Sequence, residues 1–360
     1  MFILLSIYIS GYPIQFESKM NAIAIFVGGS TRTSTIDGIS IAGASSEETL
    51  YTPTLDLEYI INGIPLTKNE IPVTPTGLPT PAVITRALLR KIKIPYLVVD
   101  SGLYSKLKVP HVKIPSSIPG NNIEIYDAMP KGTAKAIFEE SKLMGEIISN
   151  KQDIILLGES IPGGTTTAAS IIEALGFKAI DFISSASPNN PRDLKRKVIE
   201  NALKRINKGD DVFTIIDKVG DPVHISLAGF TAGVLKNVTT VLLAGGTQMG
   251  SVISILHRLN ILDERIKIAT TKWIANDKGS NIFKLIEQID KRIEIIVSDV
   301  DFSDAKHEGL RLYEKGYVKE GVGAGGVMIL SKYFGIDIED IKKEIYKEYE
   351  RLTTIGKGNN

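Results

Sequence analysis

Residues 153–176 read DIILLGESIPGGTTTAASIIEALG. The apolar run predicts a short buried strand, the glycines predict a turn, and the rest predicts a helix that begins with three threonines. Backbone N–H groups at the start of a helix have no partner inside it, and the helix dipole makes that end positive. The stretch therefore predicts a strand–turn–helix unit of an α/β fold whose turn can bind a phosphate group.

The chain after this stretch repeats the alternation of strand and helix. Residues 239–244, 266–270 and 294–297 are further apolar runs, and each is continuous rather than alternating. Continuous apolar strands are typical of a parallel sheet that helices cover on both faces. The predicted fold is α/β, with a doubly wound, mostly parallel, Rossmann-like sheet flanked by helices and a smaller accessory region of helices and loops.

The beginning of the chain has a different pattern. Met20 stands directly before an apolar strand, 22–27, so residues 1–19 are predicted to be an N-terminal extension and residues 20–360 to form a single α/β domain. Region 50–78 is predicted to be irregular because prolines interrupt it. The domain is divided into a first part (20–130), a core (131–335) and a charged amphipathic C-terminal helix (336–360).

A long helix is predicted just before the opening stretch, over residues 131–150. Its apolar residues Ile137, Leu143 and Ile147 fall on one side, and charged residues fall on the other. This spacing is typical of a helix that buries one face against a core.

The composition excludes several classes of function. The 360 residues are 43% hydrophobic and 23% charged, with a formal net charge of +1, so no global field attracts nucleic acid or an anionic membrane. The absence of cysteine excludes disulfides, zinc–thiolate and Fe–S sites and a cysteine nucleophile. The four histidines show no metal-ligand spacing. The apolar residues at the start are too few to span a bilayer and lack the charge pattern of a signal peptide, so we expect a cytoplasmic protein.

Polar residues or glycines follow most of the predicted strands. Open parallel sheets place their sites beyond the carboxyl ends of the strands, so these residues are expected to line one crevice. The pairs are Gly28-Gly29, Ser101-Gly102, Gly158-Glu159, Gly245-Gly246, Thr270-Thr271 and Ser298-Asp299.

Four segments resemble one enzyme family. The loop GESIPGGTTTAA, residues 158–169, is similar to the G-E-x-G-I-G-N-T-T-x-A-A loop of nicotinate-nucleotide–dimethylbenzimidazole phosphoribosyltransferases, which make the lower nucleotide of cobalamin. Residues 219–233, 241–248 and 319–325 resemble the family's V-G-G-x-D-I-A-x-x-A-G-x-x-x-G helix, its V-x-x-D-G-F strand and its G-E-G-S/T-G-A segment. The order and spacing of the segments are those of the family.

The resemblance is weak before residue 130. The threonine- and proline-rich stretches there, 30–56 and 72–82, look instead like those of an archaeal branch of the family. They are candidates for loops that lie over the site. A thermophilic source is compatible with the abundant isoleucine and lysine and the sparse glutamine.

The resemblance implies transfer of phosphoribosyl from nicotinate mononucleotide to a benzimidazole-type base, giving an α-riboside 5′-phosphate and nicotinate. In the family the carboxylate of the G-E-G-x-G-A segment is the general base, and here it is Glu320. Burial among small apolar neighbours raises the pKa of a carboxylate and strengthens it as a base for the ring N–H of the acceptor. Without the resemblance, Glu320 is better interpreted as an exposed residue of a charged turn.

The resemblance also implies substrate contacts. The 5′-phosphate is expected on the turn, where Pro162-Gly163-Gly164 replaces G-I-G-N and the asparagine is lost. Lys195 or Lys197 corresponds to a family lysine near the substrate, although a solvated helix face is as good an interpretation of both. Asp221 either orients a ligand hydroxyl or simply caps a helix. The candidate substrate- and phosphate-binding residues are Gly158, Glu159, Gly163, Gly164, Thr165, Thr166, Asp221, Gly245, Gly246, Gly321 and Gly323.

No metal and no cofactor are implied, because no pyrophosphate leaves in this reaction; the carboxylate pair Asp299 and Asp301 is therefore interpreted as structural. The expected partners are small-molecule substrates and a second copy of the chain, since family members are homodimers. Two alternatives stay open. A Rossmann-type oxidoreductase is disfavoured because the chain lacks a G-x-G-x-x-G turn, and a non-catalytic nucleotide-binding or regulatory protein of the same fold is compatible with the unusual first 130 residues.

Overall fold

The structure is a computed structural model that describes residues 20–68, 71–74 and 76–358. Within them, seven strands form one sheet in the order β3-β2-β1-β4-β5-β6-β7, and every pairing is parallel. The predicted fold class is confirmed, while the predicted extension 1–19 lies outside the described residues. The strands are β1 (Ala22–Gly28), β2 (Tyr96–Asp100), β3 (Val112–Lys113), β4 (Ile154–Ser160), β5 (Thr240–Ala244), β6 (Ile266–Thr271) and β7 (Glu294–Ser298).

Helices connect these strands and cover the sheet on both faces. Two short 3₁₀ helices precede the first α-helix, at Arg32–Thr35 and Glu47–Leu50. The α-helices of the described chain are α1 (Thr52–Asn62), α2 (Ala82–Ile92), α3 (Thr133–Ile148), α4 (Gly164–Ala174), α5 (Arg192–Leu203), α6 (Val212–Val219), α7 (Pro222–Val234), α8 (Met249–Arg258), α9 (Lys272–Ala275), α10 (Ile282–Glu287), α11 (Glu308–Arg311), α12 (Ala324–Tyr333) and α13 (Ile338–Gly358).

Successive residues of β1 enter two different hydrophobic cores. Ile23 and Ile25 pack into the core that includes residues of α3, α7 and α8, whereas Ala24 and Phe26 pack into the core of α1, α2, α12 and α13. Side chains alternate between the faces of a strand, so a strand that is apolar at every position must have helices on both sides. This is why the continuous apolar runs gave the correct fold.

The prediction of an irregular region 50–78 was wrong over its first half. Helix α1 occupies Thr52–Asn62, and Pro53 lies in its first turn. Proline is accepted there because its missing N–H would have no partner within the helix in any case.

The predicted face of α3 was also wrong. Ile137 is fully buried, but Leu143 and Ile147 are 60% and 63% exposed. Helix α3 instead contacts α7 through its small residues: a Cβ added at Gly145 would lie 2.7 Å from the backbone oxygen of Phe230. Small residues let two helix backbones approach closely, and here that approach rather than the apolar spacing sets the buried face.

The strand order locates the crevice. Strands β1 and β4 are neighbours at the centre of the sheet, with Gly28 beside Ser160 in the register, and the chain extends the sheet outward from them in opposite directions. Such a switch point leaves an opening beyond the carboxyl ends of its two strands, and ligands of open α/β sheets bind there.

Candidate active site

The turn after β4 leads directly into α4. Gly163 has a φ of +75°, and a Cβ at this position would lie 3.0 Å from the Cα of Ser34, so both the conformation and the close approach require glycine. The hydroxyl of Thr166 in the first turn of α4 is buried and has no hydrogen-bond partner among the described residues. The N–H groups of Gly164 and Thr166 are paired with the carbonyls of Ile161 and Gly163, so the start of α4 presents the remaining backbone donors of Gly163 and Thr165 and one unpaired hydroxyl.

Lys195 on α5 reaches this helix start, and Lys197 does not. The Lys195 ammonium is fully buried and donates to Thr165 Oγ1 (3.0 Å) and to the Ser184 carbonyl (2.7 Å). The side chain of Lys197 is 70% exposed and lies 3.4 Å from Glu124. Burial lowers the pKa of Lys195 to about 7. The structure therefore distinguishes the two lysines that the sequence left equivalent.

A second buried lysine, Lys319, lies close enough to lower the pKa of Lys195 further. It is 2% exposed, and its ammonium donates to the carbonyls of Ser187 and Gly316, each at 3.1 Å. Asp277 lies 3.6 Å away, but burial outweighs this carboxylate and the pKa of Lys319 is lowered. Sequence reasoning missed Lys319 because the dipeptide Lys319-Glu320 looks like an exposed charged turn.

Glu320 lies at the start of α12. Its carboxylate accepts hydrogen bonds from the backbone N–H of Gly325 (3.1 and 3.2 Å) and of Gly321 (3.2 Å). Burial raises the pKa of Glu320 to about 8 despite these bonds, and the negative charge of Glu159 raises it further. The residue keeps partial solvent access. A carboxylate with these properties can exchange a proton near neutral pH.

The loop that carries Glu320 is conformationally strained. Val318, Lys319 and Val322 have φ values of +62°, +50° and +52°, a region that β-branched residues rarely enter. The loop is held by the Thr85 hydroxyl on the Val322 carbonyl (2.7 Å) and by the Val322 N–H on the Glu159 carbonyl (2.8 Å). Strain of this kind persists only where the surroundings enforce it, and it is concentrated at functional sites.

Gly158 and Gly323 bring this loop onto the sheet. A Cβ at Gly158 would lie 3.0 Å from the Cα of Gly323, so the two backbones are in direct contact. The neighbouring Gly321 is also tightly packed, because a Cβ added there would lie 3.3 Å from the Pro81 side chain. Gly158 and Gly323, one glycine from each predicted segment, therefore meet near the carboxyl end of β4.

Glu159 occupies the middle of the crevice. It is 3% exposed, and Gln248 Nε2 donates to its carboxylate at 2.6 Å. Burial raises the pKa of Glu159, although the nearby His224 opposes the shift. Gly246 adjoins this contact, since a Cβ there would lie 3.0 Å from the Gln248 amide oxygen; Gly245 packs against Met249 instead.

Asp221 caps helix α7, which is the commoner of its two predicted roles. One carboxylate oxygen accepts from the N–H groups of Val223 and His224, both at 2.9 Å. The other accepts from Thr167 Oγ1 and pairs with His224 Nδ1, both at 2.6 Å. Burial alone would raise the pKa of Asp221, but the contacts with His224 and Thr167 lower it overall. Asp221 thus joins the starts of α4 and α7 rather than facing open space.

A third carboxylate, Asp56, comes from the unusual first part of the chain, and sequence reasoning missed it. It is 5% exposed and accepts from the hydroxyls of Ser160 (2.7 Å) and Thr80 (2.8 Å). Burial raises the pKa of Asp56 to about 6. Tyr313 lies near both Asp56 and Glu320, since both carboxylates raise its pKa after burial. Thr80 and Pro81 of the first part of the chain therefore lie beside the Glu320 loop.

Asp299 and Asp301 have partners of their own. Lys332 lies 3.0 Å from Asp299, and Lys272 pairs with Asp301. Within residues 20–68, 71–74 and 76–358, no group of three or more His, Cys, Asp or Glu residues is arranged to hold a metal ion. Over the same ranges, the helices are too short or too polar to cross a bilayer.

The fold and the site together belong to the class of phosphoribosyl-transferring enzymes, since residues 82–262 match a family model described as phosphoribosyltransferase. The chain belongs to this family, and more narrowly to the proteins named UPF0284. It is 49% identical to a UPF0284 protein of Aeropyrum pernix over 329 residues, 91% of each chain. It is 43% identical to one from Sulfolobus acidocaldarius, over 92% of this chain and 95% of the relative.

Two solved structures from Thermus thermophilus share the fold. One is nicotinate-nucleotide–dimethylbenzimidazole phosphoribosyltransferase, with a TM-score of 0.59 and 14% identity over 91% of this chain and 83% of that one. The other is CobT, with a TM-score of 0.61 and 14% identity over 91% and 84% of the two chains. The likeness extends through the first part of the chain, where the sequence resemblance is weak.

Proposed function

We propose that the protein transfers the phosphoribosyl group of nicotinate mononucleotide to a benzimidazole-type base in the assembly of the lower ligand of a cobamide. The products are an α-riboside 5′-phosphate and nicotinate. The observation that carries this proposal is one crevice with a buried ammonium at a helix start on one side and a carboxylate of raised pKa on the other. The ammonium suits the 5′-phosphate of the donor, and the carboxylate suits the proton that the acceptor base must lose.

The 5′-phosphate binds at the start of α4. Gly163 and Thr165 offer backbone donors, whereas the Gly164 N–H donates to the Ile161 carbonyl at 3.0 Å. The unpaired hydroxyl of Thr166 offers another donor. Lys195 uses two of its three N–H groups on Thr165 and Ser184, which leaves one for a phosphate oxygen. A dianion here also restores the positive charge of Lys195, because an adjacent opposite charge favours the protonated form.

Glu320 is the general base of the transfer. One ring nitrogen of the acceptor attacks C1′ of the donor, and the bond from C1′ to the pyridinium nitrogen breaks, so that nicotinate leaves with a neutral ring. The proton on the other ring nitrogen of the acceptor passes to the Glu320 carboxylate. The negative charge of Glu159 nearby stabilises positive charge that develops on the ribose at C1′.

The names of the solved neighbours support this choice of reaction. One of the Thermus thermophilus structures is named for the nicotinate nucleotide and the dimethylbenzimidazole that define the proposed donor and acceptor. A cytoplasmic homodimer that works without a metal or cofactor remains part of the proposal. So does the division of the chain into an extension, 1–19, and one domain.

The test is incubation with nicotinate mononucleotide and a panel of benzimidazoles, phenols and adenine, with nicotinate release followed by chromatography. Release that depends on a benzimidazole supports the proposal. Tight binding of the mononucleotide without release in the presence of any acceptor overturns it and favours a nucleotide-binding regulatory protein of the same fold. Release that depends only on another acceptor keeps the transfer and corrects the base.

A further inference from the structure

A four-residue segment, Ser184–Ser187, lies between the two buried lysines. The ammonium of Lys195 donates to the carbonyl of Ser184 at 2.7 Å, and the ammonium of Lys319 donates to the carbonyl of Ser187 at 3.1 Å. Each end of this segment, which we call the strap, is therefore fixed by a lysine. One lysine belongs to the proposed phosphate site, and the other immediately precedes the proposed base.

Further bonds fasten the strap to the Glu320 loop. The N–H of Val318 donates to the Ala186 carbonyl at 2.7 Å. The Ser184 hydroxyl donates to Asp277 at 3.0 Å, and the same carboxylate lies 3.6 Å from Lys319. Ser184 and Lys319 are buried and the other groups are half-buried, so leaving one of these bonds unmade is costly. The strap thus connects the start of α4 with the loop that holds Glu320.

The two lysines have different tasks, as their partners show. Lys195 has two acceptors for three N–H groups and no carboxylate within ion-pair distance among the described residues. Lys319 donates to two carbonyls and has the Asp277 carboxylate 3.6 Å away as a counter-ion. Lys195 is placed to bind an anion, whereas Lys319 holds the strap and the Glu320 loop together.

We propose that Lys319 is a positioning residue that makes the placement of Glu320 depend on phosphate at Lys195. The inference rests on the proposed function, because it takes Glu320 as the base and a phosphate monoester as the donor. The Glu320 loop is strained at Val318, at Lys319 itself and at Val322, so it holds its shape only while its contacts are in place. An anion at Lys195 fixes one end of the strap, and Lys319 transmits that order to the loop.

This arrangement directs phosphate binding energy to the reacting centre. Contacts to a part of the substrate that does not react can raise the rate when they order the catalytic groups, and they then raise kcat rather than lower KM. The donor is therefore expected to need its phosphate for turnover as well as for affinity. A riboside without phosphate should react slowly even at saturation, and a separate oxyanion should restore part of the rate.

The kinetic test compares the wild type with Lys319→Met in the full chain. Wild type should convert nicotinate riboside slowly, and inorganic phosphite should accelerate it about tenfold or more. In Lys319→Met the ratio of the phosphite-accelerated rate to the unaided riboside rate should fall to about one. With the mononucleotide, kcat should fall about tenfold to a hundredfold while KM stays within about threefold. Lys315→Met, at an exposed lysine of the same loop, should behave as wild type.

Three outcomes overturn the proposal. Undiminished phosphite acceleration in Lys319→Met shows that the residue transmits nothing. A raised KM with unchanged kcat shows a direct phosphate ligand. An equal loss of the unaided and the accelerated rates shows a general structural defect. A lowered Tm of Lys319→Met would confirm that defect.

A second measurement is independent of turnover. Hydrogen exchange of the backbone amides over residues 316–325 should slow when inorganic phosphate is added to wild type and remain unchanged in Lys319→Met. Phosphate binding itself, measured by calorimetry, should persist in the variant because Lys195 is intact. Equal slowing in both proteins overturns the coupling. If wild type released nicotinate with no acceptor, the proposed reaction would fail, and this exchange measurement would still decide whether the two sites communicate.

Discussion

The two sides of the crevice contain buried groups of opposite charge that do not neutralise each other. On the cation side, at the start of α4, burial lowers the pKa of Lys195. On the carboxylate side, burial raises the pKa of Glu159 in β4 and of Glu320 in the loop before α12. Within the described chain, neither glutamate has a lysine or arginine nitrogen within 4.0 Å, unlike Lys319, which has Asp277 at 3.6 Å.

The buried glutamates and Lys195 have no counter-ion of their own within the described chain. Isolated buried charges are costly, and a protein could remove the cost by pairing an ammonium with a carboxylate. Here the Lys195 ammonium lies at the start of α4, and it forms no ion pair with the carboxylate of Glu159 or of Glu320. The proposed donor carries a dianionic phosphate at one end and a cationic pyridinium at the other, so it complements both sides at once. The predictions below test each side separately.

The largest effect is expected from Glu320→Gln on the carboxylate side. The amide keeps the size of the side chain but takes up no proton, so turnover should fall by about 10² to 10⁴, the usual contribution of a general base. Nicotinate release measures the rate, and calorimetry with nicotinate mononucleotide should give a Kd within about threefold of wild type. Glu308→Gln, at an exposed glutamate, is the matched control. Full activity of Glu320→Gln would refute the assigned base.

The next effect is expected from Lys195→Met on the cation side. Loss of a charged hydrogen bond to phosphate costs about 1.5–3 kcal/mol, so affinity for the mononucleotide should fall about tenfold to a hundredfold. Inorganic phosphate should raise the Tm of wild type and leave that of the variant unchanged. Lys197→Met is the control, because this lysine is on the same helix but 70% exposed. If Lys197→Met lost affinity and Lys195→Met did not, the assignment of Lys195 to the phosphate site would be wrong.

The pH profile tests both sides together. Glu320 acts as a base only when deprotonated, so kcat/KM should rise as pH passes its pKa of about 8. Lys195 binds phosphate only when protonated, so kcat/KM should fall as pH rises past its pKa of about 7 in the free enzyme. Because the base has the higher pKa of the two, the form with Glu320 deprotonated and Lys195 protonated is a minor form of the free enzyme. Its fraction gives a narrow bell with its maximum between these values, changing several-fold per pH unit on either side.

Lys195→Arg separates the two limbs of that bell. A guanidinium stays protonated at every accessible pH, so the fall at alkaline pH should disappear, and kcat/KM should rise to a plateau as pH passes the Glu320 pKa of about 8. An unchanged alkaline limb would mean that another group titrates there.

The sequence indicated the phosphate turn but not the partners of Lys319 and Asp56, for a physical reason. The phosphate turn is local: strand, turn and helix start all lie within residues 153–176, and glycine and threonine at a helix start have a defined chemistry. The partners of Lys319 and Asp56 are remote. Lys319 bonds to Ser187, 132 positions away, and Asp56 bonds to Ser160, 104 positions away. No local pattern contains such contacts.

Two local rules also failed because packing overrode them. Prolines suggested a loop where α1 forms. The prediction failed because Pro53 lies in the first turn of the helix, where proline is accepted. Leu143 and Ile147 suggested the buried face of α3, but glycines on α3 and α7 allow a closer approach on another face. The fold class survived these errors because it depends on continuous apolar strands, and both faces of β4 are buried along its whole length.

The smallest effect is expected from Asp56→Asn, which tests whether the carboxylate side is destabilised by its own charge. The folded-state pKa of Asp56 is raised from 3.8 to about 6 by burial. Its contribution to stability is therefore fully present below pH 3.8 and is lost as pH rises through about 6, which amounts to roughly 3 kcal/mol at 1.36 kcal/mol per unit. Asparagine has no charge to bury, and the hydroxyls of Ser160 and Thr80 can turn to donate to its oxygen or accept from its N–H groups.

The Tm of Asp56→Asn should thus exceed that of wild type by a few degrees at pH 7.5, and the gain should vanish at pH 4. Turnover with the mononucleotide should stay within about threefold of wild type, because Asp56 lies beside the Glu320 loop rather than on the reacting atoms. A Tm difference that does not change with pH would show that Asp56 is neutral or solvated in the folded protein, and it would remove this residue from the carboxylate side.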